Sequence, residues 1–228
     1  MAPKKSKTRP PLLARRTKRP PVRHAKRHAP DQERALEPDT ARDGALGAHA
    51  LRAQLTSVDF ARSMIRDIPD FPKPGIMFKD ITPLLASPRA FHIVLDALAE
   101  RFIGEHIDVV VGVEARGFVF GGALAARLNA SFVPARKPGK LPAEVDRVVY
   151  DTEYSTAELQ MHKDSIAEES HCLVVDDLLA TGGTAKAAAD LVRMQGGYVV
   201  AYAFVIELAF LNGREKLLPV RVETVLTY

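Results

Sequence analysis

The chain has 228 residues, 46% of them hydrophobic, which suits one α/β domain with a short appendage. Its formal charge of +4 hides a split: residues 1–30 carry eleven Lys or Arg and no acid, leaving the other residues at −7. The pI of about 9.2 therefore describes the tail; the body is mildly acidic, which excludes reading the whole chain as a nucleic-acid binder from its pI.

A single cysteine, Cys172, rules out an intrachain disulfide and suits a reducing, cytoplasmic setting. No apolar run reaches the ~18 residues of a membrane span. Residues 1–50 are rich in Pro, Lys, Arg and Ala, a composition that predicts disorder; the folded domain is expected over 51–228. The positive tail suits nucleic acid or an anionic surface. A transit peptide is disfavoured by scarce Ser and by Pro10-Pro11 and Pro20-Pro21, which interrupt an amphipathic helix.

Leu55, Val58, Ala61 and Ile65 recur at helical spacing, with Pro69 beyond the stop. Ile68 to Pro83 is Pro-punctuated and reads as irregular. Ser87-Pro88 opens a helix that runs through Phe102. Asp108–Val113 is a buried strand, Gly117–Leu128 a small-residue helix and Ala130–Pro134 a second strand. Residues 145–162 read as a hairpin. Cys172–Asp176 is a third strand, followed by a helix from Gly183 to Gln195 that Gly196-Gly197 closes. Tyr198–Ile206 is a fourth strand. This alternation predicts an α/β fold with an open, mostly parallel twisted sheet flanked by helices.

The most informative stretch is Val174-Val175-Asp176-Asp177-Leu178-Leu179-Ala180-Thr181-Gly182-Gly183-Thr184. A strand ends in two acids, and a short loop leads into a helix. Thr181 to Thr184 supply hydroxyls and free backbone N–H groups at a helix start, where the dipole adds about 0.3–1 kcal/mol for an anion. Two carboxylates beside an anion site suit a ligand that also has hydroxyls, or a bridging Mg²⁺. A ribose 5-phosphate meets both demands. The loop is neither a Walker A sequence nor G-x-G-x-x-G. His24 and His28 belong to the basic run, and His162, His171 and Cys172 are too dispersed for a zinc site. Cys172 reads as a small buried hydrophobe.

This stretch resembles the PRPP-binding motif of type I phosphoribosyltransferases. The resemblance implies that Ala180, Thr181, Gly182, Gly183 and Thr184 hold the 5-phosphate. Asp176 and Asp177 would contact the ribose hydroxyls, and Mg²⁺ would arrive with PRPP without a direct protein ligand. Three further stretches resemble the adenine-specific branch of that family. Ile68–Leu85 is similar to its base-binding hood, which implies adenine contacts by Met77, Phe78, Lys79 and Leu208. Val111–Phe118 is similar to its pyrophosphate loop, which assigns Ala115 and Arg116. Arg136, Lys137 and Lys140 with Tyr150–Ser155 are similar to its mobile catalytic lid, which gives Glu153 an acid/base role and sets Tyr154 over the ribose. Near the end of the chain, Glu207-Leu208 and Leu211–Leu217 fit as well. Lys79 stands where Arg is common, and Ser155 where Gly is common.

The resemblance implies that adenine and PRPP give AMP and pyrophosphate, with Mg²⁺, in a homodimer. Two alternatives stand beside it. An oxopurine enzyme would place a Lys or Arg toward the 6-oxo group, and none is evident in the expected C-terminal position. A PRPP-sensing regulator would have little reason to keep Glu153 together with Arg136, Lys137 and Lys140.

Overall fold

In the computed structural model, which describes residues 57–151 and 156–228, the apolar runs become the strands of one five-stranded parallel sheet. All described residues lie within one compact unit. The basic tail, Glu153, Tyr154 and Ser155 lie outside the described residues.

The chain is helical over 57–63, so the expected first helix stops short of Ile65. A two-stranded antiparallel ribbon follows, β1 (Arg66–Ile68) with β2 (Phe78–Asp80). It gives order to part of the segment that reads as irregular. The ribbon is tied by Arg66 to Asp80 at 2.9 Å and Lys79 to Asp67 at 2.7 Å, cross-strand ion pairs that are not evident until the register is known. Helix α1 (Thr82–Ala86) and helix α2 (Pro88–Ala99) come next. Ser87 caps α2 by accepting from the Ala90 N–H at 3.3 Å, with Pro88 in the first turn.

Strands β3 (Val109–Val113) and β4 (Ser131–Ala135) flank helix α3 (Gly117–Leu128). The antiparallel hairpin β5 (Val145–Asp151) and β6 (Thr156–His162) stands where the sequence predicts it. Strand β7 (His171–Leu179) leads to helix α4 (Gly183–Met194), then β8 (Tyr198–Glu207) and β9 (Arg221–Thr227). Two boundaries differ from expectation. Strand β7 does not end at the acids; Asp176 pairs with Phe204 and Leu178 with Ile206, so the acids lie within the ladder. Strand β9 is unforeseen. Only Val222 and Leu226 of its seven residues are buried, and the pairing with β8 supplies the order that so weak a pattern lacks.

The sheet order is β4-β3-β7-β8-β9. Both faces are covered, so the central strands alternate between two apolar cores. Val110, Leu173, Val175 and Ala203 join α2 and α3 on one face, while Val111, Val174, Tyr202 and Phe204 meet α4 on the other. Each fully buried Val or Leu contributes about 1.5–3 kcal/mol. Because α3 carries the chain from β3 to β4 and α4 from β7 to β8, the connections diverge between β3 and β7. That divergence opens a crevice at the carboxyl ends of the two strands. Among the described residues no helix is long and apolar enough to cross a membrane.

Candidate active site

The crevice between β3 and β7 is a cleft of about 510 Å³ lined by Arg116, Asp176, Asp177, Thr181, Gly182 and Thr184, among others. The sequence-predicted phosphate loop, paired acids and Arg116 thus meet in one place.

The loop begins where β7 ends. Gly182 adopts φ 80° as the N-cap of α4, a backbone conformation that disfavours any residue with a Cβ. The first intrahelical bond runs from the Lys186 N–H to Gly182 O at 3.0 Å, which leaves the preceding N–H groups at a dipole end without intrahelical acceptors. The loop is braced from behind. A Cβ on Gly213 would lie 2.0 Å from Ala180 O, and one on Gly182 would lie 2.5 Å from Gly213 O. Two backbone segments therefore touch directly. The Thr184 hydroxyl donates to Tyr150 Oη at 3.2 Å, joining the loop to the end of β5.

Asp177 is 4% exposed, whereas Asp176 keeps some surface in the cleft. The Asp177 N–H donates to Asp176 Oδ1 at 2.9 Å. Burial, then the charge of Asp177, raises the Asp176 carboxyl well above the ordinary carboxylate range. Burial also raises Asp177, and the Arg116 charge opposes that rise. Arg116 Nε lies 3.0 Å from Asp177 Oδ2, close enough for an ion pair. The geometry is not that of a hydrogen bond, however, and this buried oxygen has no hydrogen-bond donor among the described residues.

Arg116 also reaches the hood. Its guanidinium carbon lies 5.2 Å from the Phe78 ring centroid, and Phe78 meets Phe71 edge-on at 5.0 Å. Met77 is exposed. Lys79 is engaged by Asp67 and lies 3.9 Å over the Tyr228 ring. Leu208 directly follows β8 and packs on the core, with its N–H donating to Leu179 O at 2.9 Å. None of these four hood residues lines the phosphate cleft itself.

The basic loop is more structured than its composition suggests. Arg136 pairs with Glu114 at 3.1 Å and donates through Nη1 to Lys140 O at 3.0 Å. Glu114 also accepts from the Lys137 N–H at 3.1 Å; the Arg136 hydrogen bond leads the contacts that hold its carboxyl below the usual range against the cost of burial. Lys137, Lys140 and Ala115 are exposed. Glu153 and Tyr154 lie outside the described residues. The paired residues Asp151 and Thr156 that flank them end the hairpin beside the loop, and a Cβ on Gly183 would lie 3.2 Å from Asp151 O.

Sequence reasoning missed four residues around the site. Glu114 and Tyr150 lie inside stretches that the family resemblance flagged, and charge and position were the available signals. Glu207 and Arg214 also lie in stretches that fit the family, but nothing in the sequence shows that they pair with each other. Glu207, at the end of β8, receives Arg214 Nε at 2.9 Å and Nη2 at 2.6 Å, and the Thr224 hydroxyl at 3.1 Å. This knot fixes the residues on either side of it, Leu208 at the end of β8 and Gly213, whose backbone lies against Ala180.

Comparison with known proteins agrees with this geometry. Residues 81–223 match the phosphoribosyl transferase domain family. An adenine phosphoribosyltransferase of Sorangium cellulosum is 68% identical over 169 residues, which are 74% of this chain and 81% of that protein. The crystal structure of the adenine phosphoribosyltransferase from Rhodothermus marinus superposes with a TM-score of 0.73 at 47% identity, covering 76% of this chain and 99% of the other. The Saccharomyces cerevisiae enzyme, solved with adenine and an imino-altritol bisphosphate, superposes with a TM-score of 0.71 at 39% identity, over 75% and 99% of the two chains. A parallel sheet with a glycine loop and paired acids at its switch point, carried by a sequence this similar, identifies the chain as a member of the adenine phosphoribosyltransferase family, the pentosyltransferases that convert adenine and PRPP to AMP and pyrophosphate.

Proposed function

We propose that catalysis occurs in the crevice between β3 and β7, and that the buried, donorless Asp177 Oδ2 is the observation that carries this reading. A buried acceptor without a donor costs about 1–3 kcal/mol, and a ribose hydroxyl would relieve that cost on binding. Asp176 takes the neighbouring hydroxyl. The 5-phosphate rests on Ala180, Thr181, Gly182, Gly183 and Thr184 at the start of α4, where N–H groups and the dipole favour an anion. Arg116 and the Ala115 backbone face the pyrophosphate, with Lys137 and Lys140 as outer cations. Arg136 acts there by holding the loop through Glu114.

Adenine lies against Phe78 and Leu208, flanked by Met77 and Lys79. The bond from C1 of the ribose to pyrophosphate breaks as the bond from C1 to adenine forms, through a cationic, oxocarbenium-like ribose. Glu153 takes the proton that adenine releases, and Tyr154 covers the ribose. Two carboxylates with hard oxygen donors fit Mg²⁺, which is commonly held by one or two carboxylates plus substrate phosphates. Mg²⁺ arriving with PRPP would supply positive charge against the leaving pyrophosphate, beside Asp176 and Asp177. Excluding water protects PRPP from hydrolysis, a task for the lid around Glu153. The chain acts in the cytoplasm as a homodimer, and the 1–50 tail is an accessory to the 51–228 domain.

Support for the base comes from the Saccharomyces cerevisiae relative, whose structure contains adenine. The deciding assay offers adenine, guanine and hypoxanthine separately, each with PRPP and Mg²⁺. Adenine alone is expected to yield nucleotide at a high rate. Equal turnover of the oxopurines would overturn the assignment of the hood.

A further inference from the structure

At the amino ends of the strands, opposite the crevice, three side chains converge that the sequence leaves apart. His106 and Asp108 precede β3, and His171 opens β7. The two segments are stitched together by the Asp108 N–H to His171 O at 2.9 Å and the His171 N–H to Asp108 Oδ2 at 2.8 Å. His106 Nε2 lies 2.9 Å from Asp108 Oδ1, and His171 Nδ1 lies 3.4 Å from Asp108 Oδ2. One ligand atom from each residue falls within 4.8 Å of the other two. The imidazoles stand edge to face, 5.5 Å apart.

We propose that His106, Asp108 and His171 form a binding site for a borderline divalent transition metal, with Zn²⁺ as the best fit. Around tetrahedral zinc, ligand bonds of about 2.0–2.2 Å set neighbouring ligand atoms ~3.3–3.5 Å apart. The two nitrogen–oxygen separations, 2.9 Å to Asp108 Oδ1 and 3.4 Å to Asp108 Oδ2, lie on either side of that edge length, so side-chain rotation that turns both imidazoles toward one carboxylate would admit the metal. Two imidazoles and one carboxylate leave a fourth position for water. The His171 N–H orients the Asp108 carboxylate, the outer-shell support that metal-binding carboxylates commonly have. Imidazole favours zinc, cobalt, nickel and copper, whereas Mg²⁺ prefers oxygen. The site is therefore chemically distinct from the one that takes Mg²⁺ with PRPP.

Neighbouring groups are committed elsewhere. Glu105 is paired with Arg221 at 2.8 Å, and the buried Cys172 thiol donates to Ser170 O at 3.5 Å. A metal here would staple β3 to β7, the two strands that border the crevice, from their far ends.

The test uses the full chain, stripped of metal by chelation and carrying His24→Asn, His28→Asn and His49→Asn to remove the tail imidazoles. Zn²⁺ binding is followed by calorimetry and Co²⁺ binding by its ligand-field absorption. One equivalent of Zn²⁺ is expected, undisturbed by Mg²⁺, and it should raise the thermal midpoint. His106→Ala and His171→Ala should each weaken binding by about tenfold or more, since even outer-shell changes cost about that much. Both should abolish the midpoint rise. The His106 side chain is largely exposed, so its replacement leaves the fold and the metal-free adenine turnover unchanged and decides the matter if His171→Ala fails to fold. No Zn²⁺ binding at micromolar concentrations, or equal binding by His106→Ala, would overturn the proposal.

Discussion

Arg116 Nε lies 3.0 Å from Asp177 Oδ2 across the switch point of the sheet, while the same guanidinium sits over the Phe78 ring. One side chain thus links the loop after β3, an acid of β7 and the aromatic hood. It partly neutralises a buried carboxylate and leaves that carboxylate's oxygen available as an acceptor. Replacing Arg116 by Met should weaken use of both substrates. A change confined to PRPP would show that the contact with Phe78 has no part in base binding.

The paired acids should trade stability for substrate. Burial, then the Asp177 charge, raises the Asp176 carboxyl far above its ordinary value of 3.8. A raised acid costs nothing while both folded and unfolded forms are protonated, and the cost grows as pH climbs from 3.8 toward the folded value. Asp176→Asn should therefore unfold at a higher temperature than the parent at pH 7. That gain should vanish below about pH 3.8. PRPP affinity and turnover should fall in this variant and in Asp177→Asn. Normal PRPP use in both variants would remove the acids from the ribose site.

Glu153→Gln should lower turnover by about 10²–10⁴-fold while changing PRPP affinity little, the range for general acid–base groups acting in the transition state. Steady-state kinetics with PRPP binding measured separately would check this. A loss of less than about threefold, far below that range, would exclude Glu153 from proton transfer.

The Glu207–Arg214 knot should matter to both stability and phosphate binding. The Arg214 hydrogen bond is the main reason that the Glu207 carboxyl is depressed below its ordinary value of 4.5. Its stabilisation is thus present above 4.5 and is lost as pH falls through the depressed value. Arg214→Met strands a buried carboxylate and should cost about 1–3 kcal/mol at pH 7, reduced from the fully buried case because water reaches Arg214. Denaturant melts should show the gap to the parent closing as pH drops below 4.5. Because Gly213 braces Ala180, the Michaelis constant for PRPP should also rise. A variant as stable as the parent at both pH values would refute the role of the pair.

A truncation beginning at Leu51 should keep adenine turnover and lose salt-sensitive retention on heparin. Every assigned site residue lies beyond Ile65, and eleven positive charges without an acid bind polyanions mainly by counterion release. If the truncated chain folds but loses most of its activity, the tail belongs to the active enzyme.

Local chemistry made much of this protein readable from its sequence. Runs such as Val109–Val113 and Cys172–Val175 are apolar enough that only a strand covered on both faces can use them. Gly182-Gly183 beside two acids has few uses other than an anion loop, and Ser87-Pro88 starts a helix in almost any setting. These signals lie within a few residues of one another, so their physics survives without the fold. The remainder depends on contacts between distant segments. Strand β9 gains its order from pairing with β8, and Asp176 and Asp177 enter the ladder because β8 continues beside them. Arg136 reads as a free cation until Glu114 is found 3.1 Å away. Glu207 and Arg214 carry no individual role in the sequence until the structure sets them 2.6 Å apart. Sequence decided which groups the chain could offer its substrates. Tertiary structure decided which of them were already engaged, because the charge left to a ligand depends on the neighbours that packing brings within a few ångströms.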